Sequence, residues 1–414
     1  MEAKQIDEIV EKIIAGEIKP YKVDELVQDA SLAVEIRRKY VERISHTQLE
    51  HVSKHSIDFS DASKRNIENA IGAVQVPVGL VELKVNGEYA KGKYPFFLAT
   101  TEGKLVAGVN RGASAINKSG GSTAKILSNG MTRSVAIDTG SLKNTAEAMR
   151  YVNSAEGIAM LRQAFAKSNS RLNLLNVDAF STGRLLYLRY SADTKAAMGM
   201  NMVTIAATAT TKQLIEELSK RGVNAKLVSE SGNMCADKKP SAINIIKGRG
   251  ISVVAEAVIT KEALQEYFKA DAKTIEELNY VKNYMGSSLA GSLAHNAHVA
   301  NILAAAFIAY GQDVAQIVDG VNAFDDAKAL EDGSLYCSVY LPALEIGTYG
   351  GGTHRETAKE LLKASGVYGE GDDEGRTKRA FAELIASAVL AGELNLLAAE
   401  AGQELASAHA QLKK

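Results

Sequence analysis

Between residues 145 and 230 the chain alternates helical and strand periodicity, and strand-like sequence lies on both sides of this block. A helix is predicted around Ala146–Lys167, a strand around Leu185–Tyr190 and a helix around Thr211–Arg221. Gly-rich, strand-like sequence runs from Ile71 to Ile137, and beyond the block Val253, Ala255, Ala257 and Ile259 alternate with their neighbours. Such a block reads as a small α/β domain inserted in a larger one. Residues 1 to about 60 read as helices: Ile6, Ile9, Val10, Ile13 and Ile14 repeat at helical spacing. Later come a small-residue helix from Gly286 to Tyr310, a strand Leu335–Ile346 and a long helix from Thr377 to about Leu412. The last presents Phe381, Leu384, Ile385, Leu394 and Leu397 toward the core.

Charge restricts the partners. The 48 Lys+Arg against 49 Asp+Glu leave a net charge of −1, so no global basic field exists to collect nucleic acid or anionic lipid. Cationic chemistry must be local. Two cysteines, Cys235 and Cys337, suit a reducing compartment. The longest strongly apolar run, Ile302–Tyr310, is shorter than the ~20 residues that span a bilayer. The opening MEAKQIDEIV has no basic region followed by an apolar core, as a signal peptide would. A cytoplasmic protein is expected, with no membrane or nucleic-acid partner.

Four stretches look unlike packing. Ala99–Lys104 holds Glu102 in a tight polar turn and is followed by Asn110-Arg111-Gly112. It reads as a surface turn, or as a carboxyl whose burial raises its pKa toward neutral. Ser229–Pro240 places Ser231, Asn233, Asp237, Lys238 and Lys239 together. It reads as a charged surface loop, or as an anion and carbonyl site with a Lys facing a developing oxyanion. The third stretch carries Lys282, His295, His298, Asn301, Gln312 and Asp313, with His298 and Asn301 on one helical face. His295-x-x-His298 lacks further ligands at zinc spacing, so no metal is expected. The fourth, Gly347–Thr353, offers consecutive glycine N–H groups to a phosphate but ends without the P-loop Lys-Ser/Thr. A separate Met198-Gly199-Met200-Asn201-Met202 run has Gly and Asn unusual for core filler.

In this order the stretches resemble the 3-hydroxy-3-methylglutaryl-CoA (HMG-CoA) reductase family, class I, in its short soluble archaeal form. The carriers are ENAIG at 68–72, VPVG at 76–79, ATTEGKLVAGVNRG, GMTR at 130–133, AMGMNM, SGNMCADKKPSAIN, KGRG, NAHVANI, GQD, EIGTYGGGT and the terminal AGELNLLAAEAGQELASAH. They cover about residue 65 to the C-terminus. The resemblance implies an α+β fold. A large helix-rich catalytic domain (64–133 and 231–414) would carry a small α/β, ferredoxin-like NADP-binding domain (134–230) and a helical N-terminal region (1–63). It implies reduction of HMG-CoA to mevalonate and CoA by two NADPH in isoprenoid precursor synthesis, in a homodimer or higher oligomer with active sites at the subunit interface.

The same resemblance assigns roles. Lys238 would stabilise the oxyanion, Glu102 would supply a proton, Asp313 would tune the Lys–Glu network and His409 would protonate the departing CoA thiolate. Arg133, Lys239 and Lys282, with Ser231, Asn233, Asp237 and Asn301, would hold the HMG carboxylate end. Asn110, Arg111 and His298 would lie around substrate and CoA. The cofactor would meet Met198, Gly199, Met200, Asn201 and Met202 and the loop of Gly347, Gly350 and Gly351, with Ser170-Arg171 reading the 2′-phosphate of NADPH. Five departures stand near these positions: Ala196 replaces the family's Asp, Ala73 a Tyr, Val81-Glu82-Leu83 or its near neighbours a Gly-Pro-Leu, Ile245 a Trp and Ile317 an Asn. Ala196 keeps open a weakened homologue that binds CoA or an acyl-CoA; an NADH-linked enzyme oxidising mevalonate is the other alternative, and Ser170-Arg171 argues against it.

Overall fold

The computed structural model describes residues 3–46, 48–50 and 52–412, without the side chains of 3, 4, 21 and 403–412. It is an α+β protein. Among the described residues, β1 (Val78–Asn86) and β2 (Lys91–Ala99) form an antiparallel hairpin. The main sheet holds β3 (Thr123–Asp138), β4 (Asn173–Thr182), β5 (Leu185–Asp193), β6 (Lys226–Ser229), β7 (Gly250–Ile259), β8 (Phe324–Ala329) and β9 (Leu335–Leu344). Its order is β4-β5-β3-β7-β9-β8, with β6 also on β3.

β3 joins two cores. Its first half pairs with β7, from Thr123–Glu256 to Gly130–Gly250. Its second half pairs with β5, from Met131–Ala192 to Asp138–Leu185. Met131, Val135, Ile137, Leu186, Leu188 and Tyr190 enter one apolar cluster, with Val203 and Leu214 from the helix Met200–Lys220. The strands β1, β2, β7 and β9 enter a larger cluster around the helix Arg376–Leu412. The N-terminal helices Ala3–Ile14 and Ala30–Ser45 form a small separate cluster through Ile6, Val10, Ile13, Ala33 and Ile36.

Helix starts follow short polar caps. The side chains of Asp29, Ser154, Thr260 and Asp271 accept from backbone N–H groups of the first turn. The Ser154 cap divides the expected helix 146–167 into Leu142–Val152 and Ala155–Ser168. The expected helix 286–310 is also broken. A π-helical turn, Tyr280–Gly286, leads into Ser287–Ala290, and the next helix begins only at Val299. His298 is therefore the N-cap of Val299–Ala309, not a partner on its face. The Glu393 carboxylate fixes the break by accepting from Ala297 N–H at 2.6 Å and His298 N–H at 2.8 Å.

The stretch Arg376–Gly402 is longer and more membrane-like than the Ile302–Tyr310 run singled out from sequence, with mean hydropathy 1.5 in its most apolar window. Yet 89% of that window is buried in the protein. The helix Leu105–Lys118 lies so close to it that a Cβ on Gly112 would come within 1.9 Å of the Ala391 carbonyl oxygen. Gly112→Ala should cost about 3 kcal/mol by forcing the helices apart. Urea unfolding of the variant checks this, and an unchanged midpoint would contradict the close approach.

Candidate active site

The loop Ser229–Ser241 leaves β6 and folds back on β3. Three non-glycine residues in it, Asn233, Ala236 and Lys238, take left-handed φ values of +60°, +49° and +57°. Each costs of order 1–3 kcal/mol unless its surroundings impose it. The surroundings do so here. Gly232 N–H donates to Ser134 O at 2.8 Å, Cys235 is wholly buried, and Asn244 donates to Ala236 O at 3.3 Å. The Asp319 carboxylate accepts from the N–H groups of Lys238 at 3.1 Å and Lys239 at 3.3 Å.

Beneath the loop lies Arg249, fully buried. Its guanidinium meets Asp237 at 3.0 Å, Asp319 at 3.0 Å and Glu345 at 3.2 Å, and donates to Gln316 at 3.0 Å. Burial would lower the Arg249 pKa, but Glu345, Asp237 and Asp319 hold it above its ordinary value. Asp237 also pairs with Arg133 at 3.3 Å. Burial pushes the Asp237 carboxyl up, but Arg249, the Gln316 hydrogen bond, Arg133 and Lys238 bring it below the usual carboxylate range. Glu345 shows the opposite result: its complete burial, against the pull of Arg249, holds the carboxyl well above its ordinary value. Folding thus takes up a proton at Glu345 above its unfolded pKa, and its contribution to stability declines as pH rises from there. Glu345→Gln should remove this decline, so the variant's stability relative to wild type should rise between pH 5 and pH 8. Urea titrations at both values test the sign.

With its backbone so held, Lys238 extends its ammonium to the Asp313 carboxylate at 2.9 Å. Asp313 also caps the short turn Val314–Gln316 through Ala315 N–H. Asp313 stands on the rim of a cleft of about 530 Å³. One wall is Ala197–Met202 and the other is Gly347 with Tyr349–Thr353. The walls are close at their base, where a Cβ on Gly347 would reach the Met198 nitrogen at 2.6 Å. They open above, where a Cβ on Gly350 or Gly351 would meet nothing within 4 Å. Gly199, at φ +79°, starts the helix Met200–Lys220 with no side chain capping its N-terminus. Free N–H groups, glycine backbone and open space together fit an anionic nucleotide.

The structure brings Lys238, Asp313, Arg133, Asp237 and Lys239 together, the last donating from its ammonium to Asp237 O at 2.8 Å. Ser231 and Asn233 lie on the same loop. A second group gathers around Glu102. Asn301 donates to its carboxylate at 3.2 Å, and Asn110 shares its open cleft of about 500 Å³. Glu102 is exposed in the single chain, so the burial expected of it is not found there. Arg111 donates to Asn395 at 2.7 Å, and the His298 ring contacts Gly392 O at 2.8 Å. Lys282 pairs instead with Glu400 at 3.3 Å. Ser170 and Arg171 are exposed at the end of the helix Ala155–Ser168, outside the residues lining the 530 Å³ cleft. The side chain of His409 lies outside the described residues. Ala196 is buried and does not line the cleft, and neither does Asp193. Among the described residues no cluster of three metal-ligating side chains occurs.

Sequence reasoning passed over Arg249, Gln316, Asp319 and Glu345, and the contribution of Arg65 and Asn66 to the cleft. Arg249 and Glu345 stood inside the KGRG and EIGTYGGGT runs, and a charge amid glycines and apolar residues was the available signal.

A buried-arginine hub under a lysine–carboxylate pair, beside a glycine-lined cleft, is the arrangement of an enzyme site in a protein with two apolar cores. Solved structures share this fold. A class II 3-hydroxy-3-methylglutaryl-CoA reductase from Streptococcus pneumoniae, bound to NADPH, superposes with a TM-score of 0.63 at 20% identity over 88% of this chain and 96% of its own. Relatives in sequence are closer. The 3-hydroxy-3-methylglutaryl-coenzyme A reductase of Pyrococcus horikoshii is 46% identical over 410 residues, covering 98% of each chain. That of Methanocaldococcus jannaschii is 44% identical over 408 residues, again 98% of each. The profile of the hydroxymethylglutaryl-coenzyme A reductase family matches residues 33–414, and the chain belongs to that family. The likeness reaches well before residue 65, into the N-terminal helices.

Proposed function

We propose that this protein reduces HMG-CoA to mevalonate and CoA, consuming two NADPH and two protons, in the mevalonate route to isoprenoid precursors. The observation that carries the reading is the Lys238–Asp313 pair at 2.9 Å on the rim of the glycine-lined cleft. NADPH, when bound, supplies the hydride for each of the two reductions. The ammonium of Lys238 lies where it can balance negative charge on a carbonyl oxygen, first of the thioester and then of mevaldehyde. Asp313 orients that ammonium. Arg133 and Lys239, both beside Asp237, supply cationic groups for the HMG carboxylate. Lys282 would complete them from another part of the surface. Glu102, oriented by Asn301, would deliver the proton at the aldehyde stage. His409 would protonate the CoA thiolate and keep it from attacking mevaldehyde again.

Within one chain Glu102 bonds Asn301 and Lys238 pairs with Asp313, with no hydrogen bond or ion pair between the two, and Val78 and Leu80 beside Glu102 are half exposed. Both facts support an oligomer in which a neighbouring copy completes the site. The small α/β region 134–230 would hold NADP, with Met198–Met202 and Gly347–Thr353 at the cleft and Ser170-Arg171 reaching the 2′-phosphate. Archaeal relatives at 44–46% identity support the archaeal type; the assignment to class I rests on the sequence motifs alone, and the solved chains that share the fold are class II. A cytoplasmic setting fits the two buried free cysteines and the buried apolar helix.

Lys238→Ala should lower the rate with both HMG-CoA and mevaldehyde by about 10²–10³-fold, with little change in KM for NADPH. Steady-state kinetics check this, and near-wild-type rates would remove Lys238 from the chemistry. Arg171→Ala should raise KM for NADPH at least about tenfold more than for NADH, because the guanidinium contributes to phosphate binding alone. A parallel change would take the 2′-phosphate away from Arg171 and reopen the NADH-linked reading.

A further inference from the structure

Two adjacent residues in the first turn of the Arg376–Leu412 helix reach both walls of the nucleotide cleft. Thr377 shares a hydrogen bond of 2.8 Å with Thr348, whose N–H donates to Ala196 O at 2.8 Å. Lys378 is 3% exposed, and its ammonium donates to Thr194 Oγ1 at 2.9 Å and Ala197 O at 3.2 Å. The Thr194 hydroxyl in turn donates to Ala197 O at 2.7 Å or Met198 O at 3.2 Å. The turn 194–198 carries the wall that begins at Ala197, and the packing around it is tight. A Cβ on Gly199 would fall 2.4 Å from Thr194, and one on Gly375 would fall 2.8 Å from the Lys195 backbone. A buried ammonium is costly unless it is paired or hydrogen-bonded, and both acceptors of Lys378 lie in this turn.

We infer that Lys378 is a positioning residue for the dinucleotide: its charged form fixes the turn 194–198 against the core helix, so that the Met198–Met202 wall is set for the cofactor before it binds. The inference rests on the proposed cofactor cleft.

The groups facing the ammonium set its response to pH. They are Asp193, Lys195, Arg379 and Asp372. Asp193 is itself held by Arg379 at 3.3 Å and by Asn129 at 3.0 Å. Burial drives the Lys378 pKa down to about 7, with Asp193 and Asp372 opposing the fall and Arg379 and Lys195 adding to it. Above that value the amine still donates, but without the charge that strengthens its bonds and without positive charge behind an anionic ligand. NADPH affinity should therefore be highest below pH 7 and fall as pH rises through it.

The test is NADPH binding to the full chain, followed by fluorescence from pH 6 to 8.5, beside KM for HMG-CoA. Wild type should weaken several-fold across the range. Lys378→Met should bind NADPH about tenfold more weakly at pH 6 and vary less with pH, while KM for HMG-CoA stays within about twofold. The 2′-phosphate's own titration is common to both proteins and cancels in the comparison. Thr194→Val probes the same turn without emptying the ammonium site and should weaken NADPH about threefold or more. A folded Lys378→Met protein with the wild-type pH profile overturns the inference, as does unchanged affinity in Thr194→Val. Gly347→Val separates the two levels. Its side chain would collide with Met198, so NADPH binding that survives it overturns the cofactor cleft itself.

Discussion

The ion cluster at Arg249 is the constraint on which the proposed chemistry depends. One guanidinium at the start of β7 gathers Asp237 from the lysine loop, Asp319 from the segment after Asp313, and Glu345 from the end of β9. Three carboxyls around one buried cation would repel one another strongly if all were ionised. The structure avoids this by keeping Asp237 ionised and raising the pKa of Glu345. A buried ionic group is poor evidence of added stability, but it is demanding about geometry. That demand suits a loop whose left-handed backbone at Lys238 must not relax.

From this hub the arrangement is sequential. Asp319 holds the backbone of Lys238 and Lys239 by two N–H bonds, and Gln316 ties Asp237 to the turn that Asp313 caps. Lys238 and Asp313 then meet at the surface with about a third of each side chain exposed. Rigidity is thus concentrated beneath the reactive pair, while the pair itself stays accessible to substrate. β3 supports the same division, since it changes partners between Gly130 and Met131 and sends Arg133 toward the loop from the point of change.

Much of this was legible in the sequence, and the limit is physical. The periodic apolar residues of 1–14 report local amphipathicity, and the terminal helix, apolar nearly all round and without a proline over its length, is legible as a long core helix, so those elements could be read directly. The run 286–310 read as one helix because its glycines passed for small packing residues, although Gly291, left-handed at φ +69°, ends Ser287–Ala290. Its break is imposed by Glu393, almost a hundred residues away, which caps the N–H groups of Ala297 and His298. The motif residues Lys238, Asp313 and Glu102 stood out because polar side chains interrupted apolar sequence without a period. Arg249 did not, since its three carboxylate partners are scattered along the chain and only folding removes it from water.

Lys378 marks the far end of that limit. In sequence it sits in Arg376-Thr377-Lys378-Arg379, a basic run that reads as solvated surface. Cations are disfavoured in the first turn of a helix by its dipole, so a Lys buried at this place needs a tertiary reason. Its acceptors supply one, because both belong to the turn that leads into the nucleotide cleft. The same turn holds Ala196, where the family motif has an acid, and the Ala196 carbonyl is already committed to Thr348. Support for the wall therefore comes through the backbone and from the core helix instead of from a carboxylate at 196. A terminal helix that packs the core of the large cluster at one end, and fixes both walls of the cleft at the other, couples cofactor geometry to the most buried element of the fold.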